Sequence, residues 1–183
     1  MTTRLDAPES MTTTRLLLRK PCLADAEAIF AAYAADPEVV RYVTWQAHGS
    51  VEDTRGFLAY CESEWAEDHS YPYVLCSKEA PENPFGMIHP RRRPKEVEFG
   101  YVLARAEWGK GYMSEALAAQ LDWVLRQPGV TRATAYCDIE NAASAHVMEE
   151  AGMTFEAEMK GYQVLPNRAL APRDCKLYVR TAG

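Results

Sequence analysis

Gly109 and Gly111 stand on either side of Lys110 in EWGKGYMSEA, Glu107 to Ala116, after a strand-like run and before a helix-like one. Without β-carbons, the two glycines let the backbone turn sharply and let a ligand approach its N–H groups. The first N–H groups of the following helix have no partner inside it, and the helix dipole adds partial positive charge there. Strand, glycine turn and helix N-terminus together make an anion site, for which a pyrophosphate is the common ligand. Lys110 either adds charge or points to solvent, and a plain tight turn is the competing reading.

Two phosphate motifs can be tested on the letters. A Walker-type loop needs four residues between its first glycine and a Gly-Lys pair followed by Ser or Thr, which Gly109 to Tyr112 does not supply. A dinucleotide fingerprint needs a third small residue, here Ser114, and an acidic residue ending the next strand, here Asp138. That reading, a nicotinamide dinucleotide oxidoreductase, stays open. Against it, five residues separate Leu103 from Gly109, and no β-α-β unit precedes them.

Further polar residues carry weaker signals. Asn141 and Ser144 lie three apart at a helix start and share a face, with Asn141 also a natural N-cap. Glu98, Gly100 and Val102 alternate on one strand face, so Glu98 is a base if that face meets a substrate and a solvated sheet-end residue if it does not. Glu96 and Glu156 are weaker candidates. Arg91, Arg92 and Arg93 between prolines read as a solvated turn, or as a guide for an acidic substrate.

The elements around these residues follow from hydrophobic period and turn chemistry. Strands are expected at Thr14–Lys20, Tyr71–Ser77, Pro84–His89, Val97–Leu103, Thr131–Asp138, Thr154–Met159 and Asp174–Arg180. Helices are expected at Ala24–Ala35, at Val51–Asp68 behind a Ser50/Asp53 capping box, and at Ala142–Ala151 before Gly152. The strongest helix follows the glycine turn, where Met113, Ala116, Leu117, Leu121, Val124 and Leu125 form one apolar stripe ended by Pro128-Gly129. A meander followed by crossover helices implies an α+β, layered architecture: a mixed sheet with helices on both faces. Residues 1–13 are expected to be a flexible tail and 14–183 a single domain.

Composition bounds the function. The 183 residues, 48% hydrophobic, suffice for one buried core. Lys and Arg number 20 against 26 Asp and Glu, and a net charge of −6 opposes non-specific nucleic-acid binding and suits a cationic partner. No run approaches a membrane span and no secretory signal opens the chain, so a cytoplasmic protein is expected. The five cysteines form no C-x-x-C pair and read as reduced thiols, and the four histidines show no metal-ligand spacing, so no metal is expected.

EFGYVLARAEWGKGYMSEA resembles the coenzyme A signature of the GNAT N-acetyltransferases, in particular the subgroup of the RimJ and RimL ribosomal-protein N-terminal acetyltransferases. TRLLLRK, DPEVVRYVTW and NAASAHVMEEAGM agree with it in order, from about Thr14 to Arg180. The resemblance implies acetyl-CoA as cosubstrate and a mostly antiparallel mixed sheet of about seven strands, splayed between the fourth and fifth. It implies a primary amine acceptor, either a protein N-terminus or a small amine, and a homodimer. It departs at Ala106, where the family carries Arg or Gln.

By the same resemblance, Val102 and Leu103 meet the pantetheine arm and Tyr101 lies near the acetyl group. Backbone amides of Trp108, Gly109, Lys110, Gly111, Tyr112, Met113 and Ser114 cradle the pyrophosphate. Asn141 binds the pantetheine and Ser144 is the acid for the leaving thiolate, because Met148 stands where many relatives carry a tyrosine. Glu98 is the first candidate for the base, directly or through water. The departures at Ala106 and Met148 keep a second reading open, an acyl-CoA-binding module without catalysis.

Overall fold

A computed structural model describes residues 4–183 of the chain. Its centre is an eight-stranded sheet in the order β1-β2-β3-β4-β5-β6-β8-β7. The strands are β1 Ser10–Thr12, β2 Leu16–Arg19, β3 Tyr73–Ser77, β4 Gly86–Arg92, β5 Glu96–Leu103, β6 Arg132–Asp138, β7 Thr154–Leu165 and β8 Ala169–Thr181. Every pairing is antiparallel except β5 with β6.

Alternation along the strands builds two cores. Tyr73, Leu75, Ile88, Val97 and Phe99 point to one face, where they meet Met113, Leu117, Leu121 and Met148. Those last residues belong to α3 (Tyr112–Val124) and α4 (Ala142–Glu150). Val74, Cys76 and Met87 point to the other face and meet Ile29, Tyr33, Leu58 and Cys61. That face is covered by α1 (Ala26–Ile29) and α2 (Val51–Ala66), whose N-terminus carries the reciprocal Ser50–Asp53 cap.

The structure departs from the sequence reading in four places, of which one is β4, where Arg91 and Arg92, expected in a turn, pair with Glu98 and Val97. The expected helix over Ala24–Ala35 is broken into a 3-10 turn at Leu23–Asp25, α1 and a π-turn at Phe30–Ala34. The last two strands run longer than the expected Thr154–Met159 and Asp174–Arg180 and form one long hairpin. The expected tail is packed rather than frayed over residues 4–13, its first three residues lying outside the described ones. Leu5 is buried under the α3 face, Tyr73 Oη donates to the Pro8 carbonyl at 2.6 Å, and β1 adds an eighth strand against β2. One apolar anchor and a short strand suffice to hold a segment whose polar composition reads as loose.

Among the described residues no helix is long and apolar enough to cross a membrane, and no group of three or more His, Cys, Asp or Glu is placed to hold a metal ion.

Candidate active site

β5 pairs with β6 only from Glu96 to Phe99, opposite Arg132 to Ala135. Beyond that point Gly100–Leu103 bonds to β4 alone, while β6 turns its remaining residues to β8. The two parallel strands therefore part in a wedge, which exposes one backbone edge of β5 inside the protein. A strand edge left unpaired in the interior is a site for a hydrogen-bonding ligand.

At the open end of the wedge a 3-10 turn, Arg105–Glu107, leads into the glycine turn. Gly109 and Gly111 both have φ of +73°, the left-handed region that side chains resist. Gly111 is the N-cap of α3, and no side chain caps the helix there. A β-carbon at Gly109 would meet nothing within 4 Å, so the space over the turn is open to a ligand. Lys110 does not enter it: its ammonium pairs with Glu107 at 2.9 Å. Arg15 fixes the turn from β2's side, donating to the Lys110 carbonyl at 2.8 Å and to Glu115 at 2.6 Å. An anion fits this cradle, which offers backbone amides and a helix dipole with no competing cap.

Wedge and cradle open into one cleft of about 1060 Å³. Tyr101, Val102, Leu103, the run Trp108 to Ser114, Asn141 and Ser144 all line it. Residues from three separated stretches of sequence are thus brought to a single cavity. Its size suits a drug-sized or larger ligand.

Tyr101 and Ser144 meet at the wedge. Their hydroxyl oxygens are 2.7 Å apart, and Tyr101 Oη also lies 3.1 Å from the Ser144 carbonyl. Burial pushes the Tyr101 phenol up, and the bond to Ser144 offsets this only in part. Tyr101 thus stays protonated as a donor. Asn141 Oδ1 accepts from Ser144 N–H at 3.2 Å, which makes it the N-cap of α4. Met148 is fully buried in the core and is not among the residues lining the cleft. Ser114 ties the two helices around the cleft by donating to Glu150 at 2.7 Å.

Glu98 lies on the opposite sheet face from Tyr101. Its carboxylate is 3.3 Å from Arg93 and 3.8 Å from Arg91, and it is not among the residues lining the cleft. Glu96 and Glu156 both bind Arg132 at the end of the sheet. Asp138, the carboxylate behind the dinucleotide reading, is held by Nε and Nη2 of Arg173 and by the Glu140 N–H. With those partners it is not free for a ribose.

Arg91, expected in a solvated turn, instead lies on β4 and lines the cleft on this face, together with His89 and Tyr136, which the sequence left unassigned. The Arg91 guanidinium lies across Gly100, where a β-carbon would come within 2.7 Å of it. His89 stands opposite Gly100 in the β4–β5 register. Met87, His89 and Arg91 share one face of β4, opposite Ile88, and that spacing was the available signal, but which face met a ligand was not readable from one strand.

A glycine cradle at a helix N-terminus thus opens into a gap between two parallel strands, the splayed arrangement that the resemblance implies. Residues 15–154 match the family model of the acetyltransferase (GNAT) domain, and the chain belongs to the GNAT acetyltransferase family. It is 28% identical over 166 residues to the uncharacterized N-acetyltransferase p20 of Bacillus licheniformis, covering 88% of this chain and 92% of that protein. Among solved structures, the microcin C7 self-immunity acetyltransferase MccE in complex with acetyl-CoA and AMP superposes with a TM-score of 0.84 at 16% identity. The match covers 96% of this chain and 97% of MccE. RimL, the ribosomal L7/L12 alpha-N-protein acetyltransferase in complex with coenzyme A, gives 0.83 at 22% identity, covering 94% and 98%. At these identities the two structures speak for the fold alone.

Proposed function

We propose that this GNAT protein is a cytoplasmic enzyme that transfers an acetyl group from acetyl-CoA to a primary amine. The observation that carries the proposal is the continuous path from the Gly109–Gly111 cradle, along the unpaired edge of β5, to the Tyr101–Ser144 hydroxyl pair. The complexes of MccE with acetyl-CoA and of RimL with coenzyme A support the choice of donor.

The coenzyme, when bound, supplies an acetyl thioester. Amides from Trp108 to Ser114 hold its pyrophosphate, Val102 and Leu103 present their backbone to the pantetheine, and Asn141 closes the helix beside it. Ser144 holds the proton for the leaving sulfur, Tyr101, bonded to the same oxygen, replenishes it, and the pair is reloaded by a proton that the attacking nitrogen loses as the C–N bond forms. This hydroxyl pair takes the place of the tyrosine that Met148 replaces, and it favours an enzyme over an acyl-CoA-binding module.

The acceptor enters from the other sheet face, and RimL's action on a ribosomal protein supports a protein N-terminal α-amine over a small amine. Glu98 faces that side, but Arg91 and Arg93 already engage its carboxylate. Buried unpaired cysteines at 61, 76, 137 and 175 support a reducing compartment. A homodimer is the proposed assembly, to be read by light scattering.

The test is release of free coenzyme A from acetyl-CoA with a panel of small amines and peptides that differ in their first residue. Turnover on a peptide α-amine supports the proposal. Binding of acetyl-CoA without turnover on any acceptor would leave the non-catalytic module.

A further inference from the structure

Glu64, Ser70 and His89 form a hydrogen-bonded chain between two cavities. His89 is 6% exposed and lines the cleft on the acceptor face. Its Nε2 is 2.7 Å from Ser70 Oγ, and Ser70 Oγ donates to Glu64 Oε2 at 2.6 Å. Ser70 and Glu64 line a second, more open cavity of about 580 Å³.

The donors in this chain are fixed by counting protons. Ser70 has one hydroxyl proton, and the Glu64 carboxylate has none to give, so that proton points to Glu64. Ser70 Oγ can then only accept from the ring. Nε2 of His89 therefore carries the ring proton and Nδ1 carries the lone pair. Burial, and next the Arg91 guanidinium, push His89 down to about 3, so the ring is neutral at pH 7. Arg91 and Arg92 on β4, Arg93 after it, Glu98 on β5, Tyr60 and Cys61 on α2 and His69 beside Ser70 also stand around the chain.

Acetylating a protonated amine forms a C–N bond, breaks a C–S bond, sends one proton to sulfur and releases another. We propose that His89, Ser70 and Glu64 relay the released proton from the acceptor amine to solvent. This inference rests on reading the cleft as an acetyl-transfer site. Nδ1 takes the proton from the amine as Nε2 gives its own to Ser70 Oγ and Ser70 gives its hydroxyl proton to Glu64. Because the transfers are linked, the ring never has to hold a full positive charge in its buried position. Glu64 then sheds the proton into the second cavity. The relay resets once the cleft has emptied, when water there takes the Nδ1 proton as a proton re-enters from the second cavity through Glu64 and Ser70 to Nε2.

Two measurements test the relay on the full chain. In ¹⁵N spectra of the imidazoles, without turnover, His89 is expected as the Nε2–H tautomer, and Ser70→Ala is expected to release it into a mixture. With acetyl-CoA and an amine acceptor, Ser70→Ala and Glu64→Gln are expected to lower kcat at pH 7 about tenfold or more. KM for acetyl-CoA and the melting temperature are expected to hold. The deficit is expected to close at high pH, where the amine arrives already neutral, and Glu98→Gln is expected to change little. An Nδ1–H tautomer in the unmodified protein would overturn the relay, as would Ser70→Ala and Glu64→Gln rates equal to it at every pH. Loss in Glu98→Gln with Ser70→Ala intact would assign the proton to Glu98 instead. Failure of the unmodified protein to acetylate any amine would remove the reading of the cleft, a result distinct from normal turnover that Ser70→Ala matches.

Discussion

Tyr101 on β5 and Ser144 on α4 place their hydroxyl oxygens 2.7 Å apart where β5 and β6 part. A single hydroxyl at the wedge gives up its proton and has to wait for another. A pair can pass the phenol's proton to the serine in the same movement.

Tyr101→Phe and Ser144→Ala are therefore expected to slow the chemical step by similar amounts, about tenfold to a hundredfold each. The double variant is expected to lose little more than either single one, because the two act as a unit. Single-turnover acetyl transfer reads this directly, with coenzyme A affinity as the control. Unaltered rates in both variants would remove the pair from the chemistry.

Gly111→Val tests the cradle. The φ of +73° strains a side chain by about 1 to 2 kcal/mol, and the added methyls are expected to crowd the amides proposed to hold the pyrophosphate. Arg15 Nη2, 3.5 Å from the added β-carbon, leaves ordinary contact room, so the fold is expected to survive. Calorimetry is expected to show coenzyme A affinity falling at least tenfold while the melting temperature drops by only a few degrees. Unchanged affinity in the folded variant would take the glycine turn out of the binding site.

Much of the site was legible before the fold was known, and the reason is local. The glycine pair, the stripe from Met113 to Leu125 and the Asn141 cap each lie within a few residues of what they organise. What was not legible depends on distant partners. Thr13 donates to Glu115 across 102 positions, and nothing within residues 4–13 announces that Leu5 has a pocket to fill. Likewise Ser70 and His89 are 19 positions apart, and the bridge of Ser70 to Arg91 on β4 brings them together. The single helix expected over Ala24–Ala35 failed because its apolar spacing cannot show a backbone that tightens and then widens.

The N-terminal clamp has a pH signature. Burial pushes the Glu115 carboxyl up, but Thr13 Oγ1, the Arg15 N–H and the Arg15 guanidinium together outweigh it and hold the carboxyl below its ordinary value. A carboxyl depressed by folding contributes stability that is fully present above its unfolded pKa and is lost as pH falls through the folded one. Glu115→Gln is therefore expected to lower stability at pH 7, by about 1 kcal/mol given the partly exposed Arg15. The difference is expected to shrink below pH 4. Thermal melts of both proteins across pH 3 to 8 measure it, and a constant difference would mean that the loss comes from packing and not from charge.

Met148→Tyr asks whether the hydroxyl pair has displaced the family's tyrosine or merely lacks it. Met148 is fully buried in the core formed by α3, α4 and the sheet. A tyrosine there adds volume to a filled space, which costs about 1 to 3 kcal/mol, and its hydroxyl has to find a partner or be left unpaired. If position 148 is now core, Met148→Tyr is expected to lower the melting temperature and leave the transfer rate unchanged or reduced, also when placed in Ser144→Ala. If position 148 still faces the reacting sulfur, the tyrosine would restore the rate lost in Ser144→Ala. Rescue in that double variant would show that α4 can still present a donor from its second turn, and would reduce the Tyr101–Ser144 pair to one of two routes for the proton.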